Sequence, residues 1–215
     1  MRSLSIVYCL LIIVYCLLFP LSSFAQLDEH DLGDLFYDTV YCDGRPVQMA
    51  FRNHPSPKFP NYAFVGYRQY GRASIDTLTA GRLVLPDSVT NGKGQRVRVY
   101  SIGRQAFAHC RYLTEVVMSD SLMEIGDQSF YDCTALREVT LPKALRVIYP
   151  FAFRGCTSLS VVRVKNPNHK IGIYESIFDQ QTLDRATLIV PAGTLKLFAN
   201  SLVFGMFRYA TEAFE

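Results

Sequence analysis

Ile125-Gly126-x-x-Ser129-Phe130-x-x-Cys133-x-x-Leu136-x-x-Val139-x-Leu141-Pro142 is the middle copy of a pattern that recurs every 23 residues between Ile102 and Val164. Ile102, Ile125 and Ile148 fall in register, as do Phe107, Phe130 and Phe153; Cys110, Cys133 and Cys156; Leu113, Leu136 and Leu159; Val116, Val139 and Val162; and Met118, Leu141 and Val164. Columns of this kind are what a repeat solenoid requires, because each coil buries its apolar face only by stacking on its neighbours. Within one unit, Leu136, Val139 and Leu141 are spaced as a short strand entering a core, so successive units predict a ladder of parallel strands about 4.8 Å apart. Pro142 has no amide donor and marks the strand's end, a role repeated by Pro86 and Pro191. On the return side a small residue, Ala106, Ser129 or Ala152, precedes each Phe. That pairing predicts a tight turn or a single helical turn whose backbone lies against the core while the ring fills it.

The period and the leucine-like spacing are those of leucine-rich repeats. The quoted string resembles the repeat of the BspA-type leucine-rich-repeat proteins, a family of bacterial secreted and surface proteins. The resemblance runs from about Leu83 to Phe207. It includes the turn Val190-Pro191-x-Gly193-Thr194, followed by Phe198, Phe204 and Phe207. Phe204 stands where the family usually has Trp, and the chain contains no Trp. The resemblance implies association with adhesion and with host or microbial surfaces, and a cysteine column of small, buried, apolar side chains. The expected fold is an α/β repeat solenoid: a short leucine-rich-repeat stack with a parallel β-ladder, an N-terminal β cap and a C-terminal strand-helix cap.

Outward from the repeats, residues 1–25 combine Arg2, an apolar run from Leu4 to Phe19, Pro20, and small residues at Ser23 and Ala25. This predicts a secretory signal cleaved before Gln26; the competing reading is an uncleaved membrane anchor. Cys9 and Cys16 raise lipidation, but Val14-Tyr15 ahead of Cys16 lacks the small residue such a site needs. Residues 26–81 carry no repeat and read as an N-terminal cap or a small separate β region. There Leu35 to Tyr41 and Val47 to Phe51 predict strands joined at Asp43-Gly44-Arg45-Pro46, and Tyr62 to Tyr67 with Leu83 to Leu85 predict a second strand pair. Residues 82–193 hold the repeats. An insertion at Asn91-Gly92-Lys93-Gly94, with alternating Arg96 to Tyr100 after it, predicts a projecting hairpin. Residues 194–215 read as a helical cap, with Thr194 as N-cap and Leu195, Phe198 and Leu202 on its inner face.

The formal charge of +3 is small and dispersed, without the basic stripe of a nucleic-acid binder. Three stacked thiols cannot all pair, nor do they supply a tetrahedral metal set, so Cys110, Cys133 and Cys156 are expected to be free and buried, and Cys42 unpaired. His30, His54, His109 and His169 share no short spacing and read as surface residues. Neither an H-E-x-x-H pair nor a G-x-S-x-G elbow occurs. No catalytic, cofactor or metal residue is assigned, and contact with a membrane is expected only through the signal segment or an unrecognised anchor. Two functions stay open: a secreted or cell-surface module binding a protein or glycan, and a secreted hydrolase built on the repeat frame. For the first, alternation across the end of the run sends Glu138 and Thr140 outward, and stacking of the coils then makes three rows on the exposed sheet: Thr114, Arg137 and Ser160; Glu115, Glu138 and Val161; and Val117, Thr140, Arg163 and Ile189. Glu115 and Glu138 would then be adjacent like charges, with Arg137 the nearest cation to offset them.

Overall fold

The computed structural model describes residues 33–213 apart from 57, 68–71, 169–170 and 175. Residues 1–25, on which the signal expectation falls, and His30 and His169 lie outside the described residues. The chain order is β1 (Leu35–Cys42), β2 (Arg45–Asn53), β3 (Tyr62–Val65), β4 (Gly81–Val84), β5 (Ser88–Thr90), β6 (Arg96–Ile102), β7 (Leu113–Val117), β8 (Glu124–Ile125), β9 (Glu138–Leu141), β10 (Val147–Ile148), β11 (Val161–Val164), β12 (Gly172–Ile173), α1 (Gln180–Arg185), β13 (Thr187–Val190), α2 (Leu195–Ala199) and β14 (Tyr209–Glu212).

Each repeat enters two parallel ladders. The L-x-x-V-x-L runs build the first, in the order β4-β7-β9-β11-β13-β14. The Ile column builds the second, β3-β6-β8-β10-β12. At the N-terminal end the antiparallel β1 and β2 join them, so both ladders are arms of one sheet. Tyr62–Val65 and Gly81–Val84 therefore do not pair with each other as the sequence led us to expect: β3 extends the second ladder and β4 the first. The β1–β2 connection is tighter than the predicted four-residue cluster, since Cys42 faces Arg45 and only Asp43 and Gly44 turn the chain. Both have positive φ, 47° and 74°, the conformation a two-residue hairpin turn demands. The hairpin at Asn91–Gly94 forms as expected, with Val89 opposite Val97.

The return turns are not helices but a third line of inter-coil hydrogen bonds. The amides of Phe107, Phe130 and Phe153 donate to Ser129, Ala152 and Ile177 of the next coil at 2.8–3.0 Å. Left-handed residues recur with the repeat to make this possible: Gln105 (φ 53°), Gln128 (53°) and Phe151 (58°). Gly126 sits where the coils come closest, since a Cβ there would lie 2.6 Å from the Ile102 carbonyl oxygen. Between the ladders the Phe column stacks face to face. Centroids are 5.1 Å apart for Phe107–Phe130, 5.2 Å for Phe130–Phe153 and 5.4 Å for Phe153–Phe178, and Phe207 closes the stack edge-on.

The far end departs from the expected helical cap. Leu202 is 89% exposed, and Val203, Phe204 and Phe207 are buried in its place. Helix α2 has ended by then, so Leu202 is no longer on the face of Leu195 and Phe198. Thr194 occupies the N-cap position without capping, because its hydroxyl donates to the Pro191 carbonyl at 2.6 Å. The Glu212 carboxylate takes the role instead, accepting the Leu195 amide at 3.0 Å. The backbone amides of Leu195, Gly193 and Thr194 hold its pKa below the usual carboxylate range. Glu212 belongs to β14, a strand that residues 194–215 were not expected to contain and that pairs in parallel with β13.

Candidate functional site

Strand pleating sorts the first ladder into two faces. Val116, Val139, Val162 and Leu188 align inward and are buried. Their sequence neighbours align outward: Glu115 faces Glu138, Glu138 faces Val161, and Thr140 faces Arg163, which faces Ile189. Thr114, Arg137 and Ser160 stack at the strand entrances, where the Arg137 amide donates to Thr114 and the Ser160 amide to Arg137, at 3.0 and 2.9 Å. Thr114, Glu115, Val117, Glu138, Thr140, Val161 and Arg163 are half-buried, while Arg137 and Ser160 are exposed. Of the nine residues singled out from the sequence, Glu115, Val117, Glu138, Thr140, Val161 and Arg163 lie on the outward side of the strands, and Thr114, Arg137 and Ser160 border it at the strand entrances.

The electrostatics of that face differ from expectation. Glu115 and Glu138 are adjacent, but Arg137 does not offset them. Arg82 Nε lies 3.1 Å from Glu115 Oε2, and Arg163 Nε lies 3.3 Å from Glu138 Oε1. Both pairs are well exposed, so each is worth up to about 1 kcal/mol. The physical reason is register. A bulge between Gly81 and Arg82 shifts β4 so that Arg82 faces Glu115, while the Arg137 guanidinium makes no hydrogen bond or ion pair among the described residues.

The rows also extend further than the repeats. Val84 faces Val117 and in turn Tyr41 of β1; Tyr209 of β14 faces Thr187 at the other end. Tyr41 and Tyr209 are 57% and 50% exposed. Val84 was legible, since Leu83-Val84-Leu85-Pro86 aligns with Val139-Thr140-Leu141-Pro142. Tyr41 and Tyr209 carry no repeat signature.

Elsewhere the chemistry is structural. Cys42, Cys110, Cys133 and Cys156 are free and buried. Burial, with a smaller contribution from nearby Asp76, pushes the Cys110 thiol up to about 12, and burial does the same for Cys156. Cys133 and Cys156 donate to the carbonyls of Phe107 and Phe130 in the preceding coil. His109 is exposed, with Nδ1 3.1 Å from Asp132 Oδ2. Burial raises the Asp132 pKa, but hydrogen bonds and charge from Arg111 and His109 outweigh it and hold the carboxyl below its usual range. His54 is not the plain surface residue expected: it is half-buried among Phe59 and Tyr100. Among the described residues no three His, Cys, Asp or Glu side chains gather as a metal site, and no helix is long and apolar enough to cross a membrane.

No curated protein matches the chain. Among solved structures it is similar to a leucine-rich repeat protein from Bacteroides capillosus (24% identity, 55% of this chain and 94% of that one, TM-score 0.39). It is also similar to a leucine-rich cell surface protein from Faecalibacterium prausnitzii (26% identity, 73% of this chain but 38% of that one, TM-score 0.45). A third is the T. pallidum leucine-rich repeat protein (19% identity, 67% and 70%, TM-score 0.42). The model of the BspA type leucine-rich repeat region matches residues 95–201 in six copies, which span the coils from β6 past α2; the repeat region of this chain belongs to the BspA-type leucine-rich-repeat family.

Proposed function

We propose that this chain is a non-catalytic binding module, exported through its N-terminal segment and displayed at or released from the bacterial surface. In this reading residues 33–81 cap the stack, and the outward face of the first ladder contacts a protein partner. The observation that carries it is the outward row formed by Tyr41, Val84 and Val117 and, past the β7–β9 pairing, by Thr140, Arg163 and Ile189, each run held in strand register. A rigid array mixing Tyr, Arg and aliphatic side chains has the composition of a protein interface. Against the hydrolase reading, the face's two carboxylates are on open surface and each is engaged by an arginine.

The test is a pull-down of surface proteins with the purified chain and with a Tyr41→Ser, Arg137→Glu variant. Both positions are exposed, and neither side chain makes a hydrogen bond or ion pair among the described residues, so the variant should fold with an unchanged melting temperature and lose the captured protein. Equal capture by the folded variant would remove this face. Intact-mass measurement on exported protein tests the localisation: a first residue of Gln26 is expected, and retention of residues 1–25 would make the protein membrane-anchored instead.

A further inference from the structure

The second ladder carries a different kind of site near its N-terminal end. Strand β6 buries Val97 and Val99 and turns Arg96, Arg98 and Tyr100 outward. Arg98 is flanked in register by Tyr62 of β3 and Ser88 of β5. The β2–β3 connection folds His54 and Phe59 over this surface. Ring centroids are 4.9 Å apart for His54–Phe59, 5.5 Å for His54–Tyr100, 5.7 Å for Tyr62–Tyr100 and 6.2 Å for Phe59–Tyr62. These rings line a cleft of about 380 Å³ whose opposite wall includes Glu124 and Arg146. Tyr62 is also in the wall of a neighbouring polar hollow of about 700 Å³ that holds Arg96 and Arg98.

Such rings are not needed for the core, which is filled from the other side of β6 by Val97 and Val99. Phe59 is 49% exposed and leaves part of its ring open to the cleft. The charges point the same way. Arg96 donates to Ser88 Oγ at 2.6 Å. The guanidiniums of Arg98 and Arg146 make no hydrogen bond or ion pair among the described residues. The hollow's one carboxylate, Asp87, accepts from the hydroxyls of Ser119 and Ser121 and also feels the charges of Arg98 and Arg96, without a direct ion pair to either. An aromatic cleft beside exposed guanidinium groups that form no ion pair suits a ligand with a flat apolar face and a planar or tetrahedral anion. Guanidinium binds carboxylate and sulfate with two parallel hydrogen bonds, and the cleft has the volume of an ordinary small-ligand site.

We propose that this cleft binds an anionic saccharide, its sugar ring lying against Tyr62 and Phe59 and its carboxylate or sulfate received by Arg98. The site lies on the ladder opposite the face proposed for protein contact and stands independently of it. The choice of a sugar over a nucleotide rests on the proposed location outside the cell.

The purified protein would be titrated with four probes, using calorimetry or its tyrosine fluorescence: a hyaluronan tetrasaccharide (carboxylate), a chondroitin sulfate tetrasaccharide (carboxylate and sulfate), cellotetraose (neutral) and adenosine monophosphate. At least one anionic saccharide should bind about tenfold or more tightly than cellotetraose, a difference of about 1.4 kcal/mol. The ratio between the two anionic probes distinguishes a carboxylate site from a sulfate site. Tyr62→Ala and Arg98→Glu should each remove that preference, while Arg137→Glu on the first ladder should leave it intact. Should Tyr62→Ala fail to fold, the exposed Arg98 position still decides the matter. Absence of saccharide binding, equal binding of cellotetraose, tighter binding of the nucleotide, or insensitivity to Arg98→Glu would each overturn the proposal. None of these outcomes bears on protein capture by the other ladder.

Discussion

Ser129→Ala should stabilise this protein. Ser129 is fully buried, and its Oγ has no hydrogen-bond partner. It occupies a column whose other members, Ala106 and Ala152, are also fully buried, and the rings beside it stack at nearly constant spacing, 5.1 and 5.2 Å. The backbone therefore already accommodates alanine at this point of the coil. An unsatisfied buried hydroxyl costs about 1 to 3 kcal/mol. Removing it leaves a void the size of one oxygen, which by the cavity relation returns a fraction of that. The net gain is about 1 to 2 kcal/mol, and at about 2 to 4 °C per kcal/mol for a chain of this length the melting temperature should rise by roughly 2 to 8 °C. Urea melts should show a higher midpoint at unchanged slope, because no additional surface is exposed on unfolding. The reverse changes, Ala106→Ser and Ala152→Ser, should destabilise by a similar amount. A loss of stability in Ser129→Ala would refute the reasoning, since it would mean that the hydroxyl has a partner worth more than its desolvation.

Phe130→Ala removes the middle ring of the stack and should cost about 3 to 5 kcal/mol, while Leu202→Ala, at 89% exposed, should stay within about 0.5 kcal/mol; comparable losses in thermal melts would contradict the cap described above. Gly126→Ala forces a Cβ to within 2.6 Å of the Ile102 carbonyl and should cost about 1 to 3 kcal/mol through displaced backbone, with a wild-type melt as the contrary result. Cys110 and Cys156 keep their protons to about pH 12 when folded and release them near 9 when unfolded. Their contribution is therefore complete below pH 9 and lost as pH rises from 9 through 12, at about 1.4 kcal/mol per unit for each thiol. Melting temperatures should fall steeply above pH 9 in the native chain and less steeply in the Cys110→Ala, Cys156→Ala variant; superimposable alkaline limbs would rule this out.

The repeats were legible because each coil solves the same packing problem with the same residues. Leu136, Val139 and Leu141 meet Leu113, Val116 and Met118 below and Leu159, Val162 and Val164 above, so position in the period fixes inward or outward direction. That argument weakens wherever a segment has neighbours on one side only. The segment Tyr209–Glu212 has no buried residue and no alternation to read, and it is a strand because β13 would otherwise present an open edge of amides and carbonyls. Helix α1 buries only Thr182 and Leu183, too little for a helical period to emerge from six residues. Leu202 failed for a related reason: the spacing from Leu195 and Phe198 is helical, but the helix stops at Ala199, and the chain's next turn offers the core Val203 and Phe204 instead.

The same distinction divides the outward face. Its rows follow from the period, and the strand register aligns Glu115 with Glu138 and Val161, and Thr140 with Arg163 and Ile189, as the period requires. What alternation cannot supply is the partner of each charge, because that depends on the register between a repeat and a non-repeat strand. Glu115 and Glu138 looked like a mutual repulsion within the repeats, relieved if at all by Arg137. The bulge at Gly81–Arg82 brings a cation from outside the clean repeats to Glu115, while Arg163, one coil on and two residues along the strand, reaches back diagonally to Glu138. With both acids engaged, Arg137 is the cation of the row left facing solvent. A side chain that carries charge, holds no fold contact and sits among Thr114, Ser160 and the aliphatic row can change without penalty to the core. That is the property expected of a residue through which such a surface acquires or loses a partner.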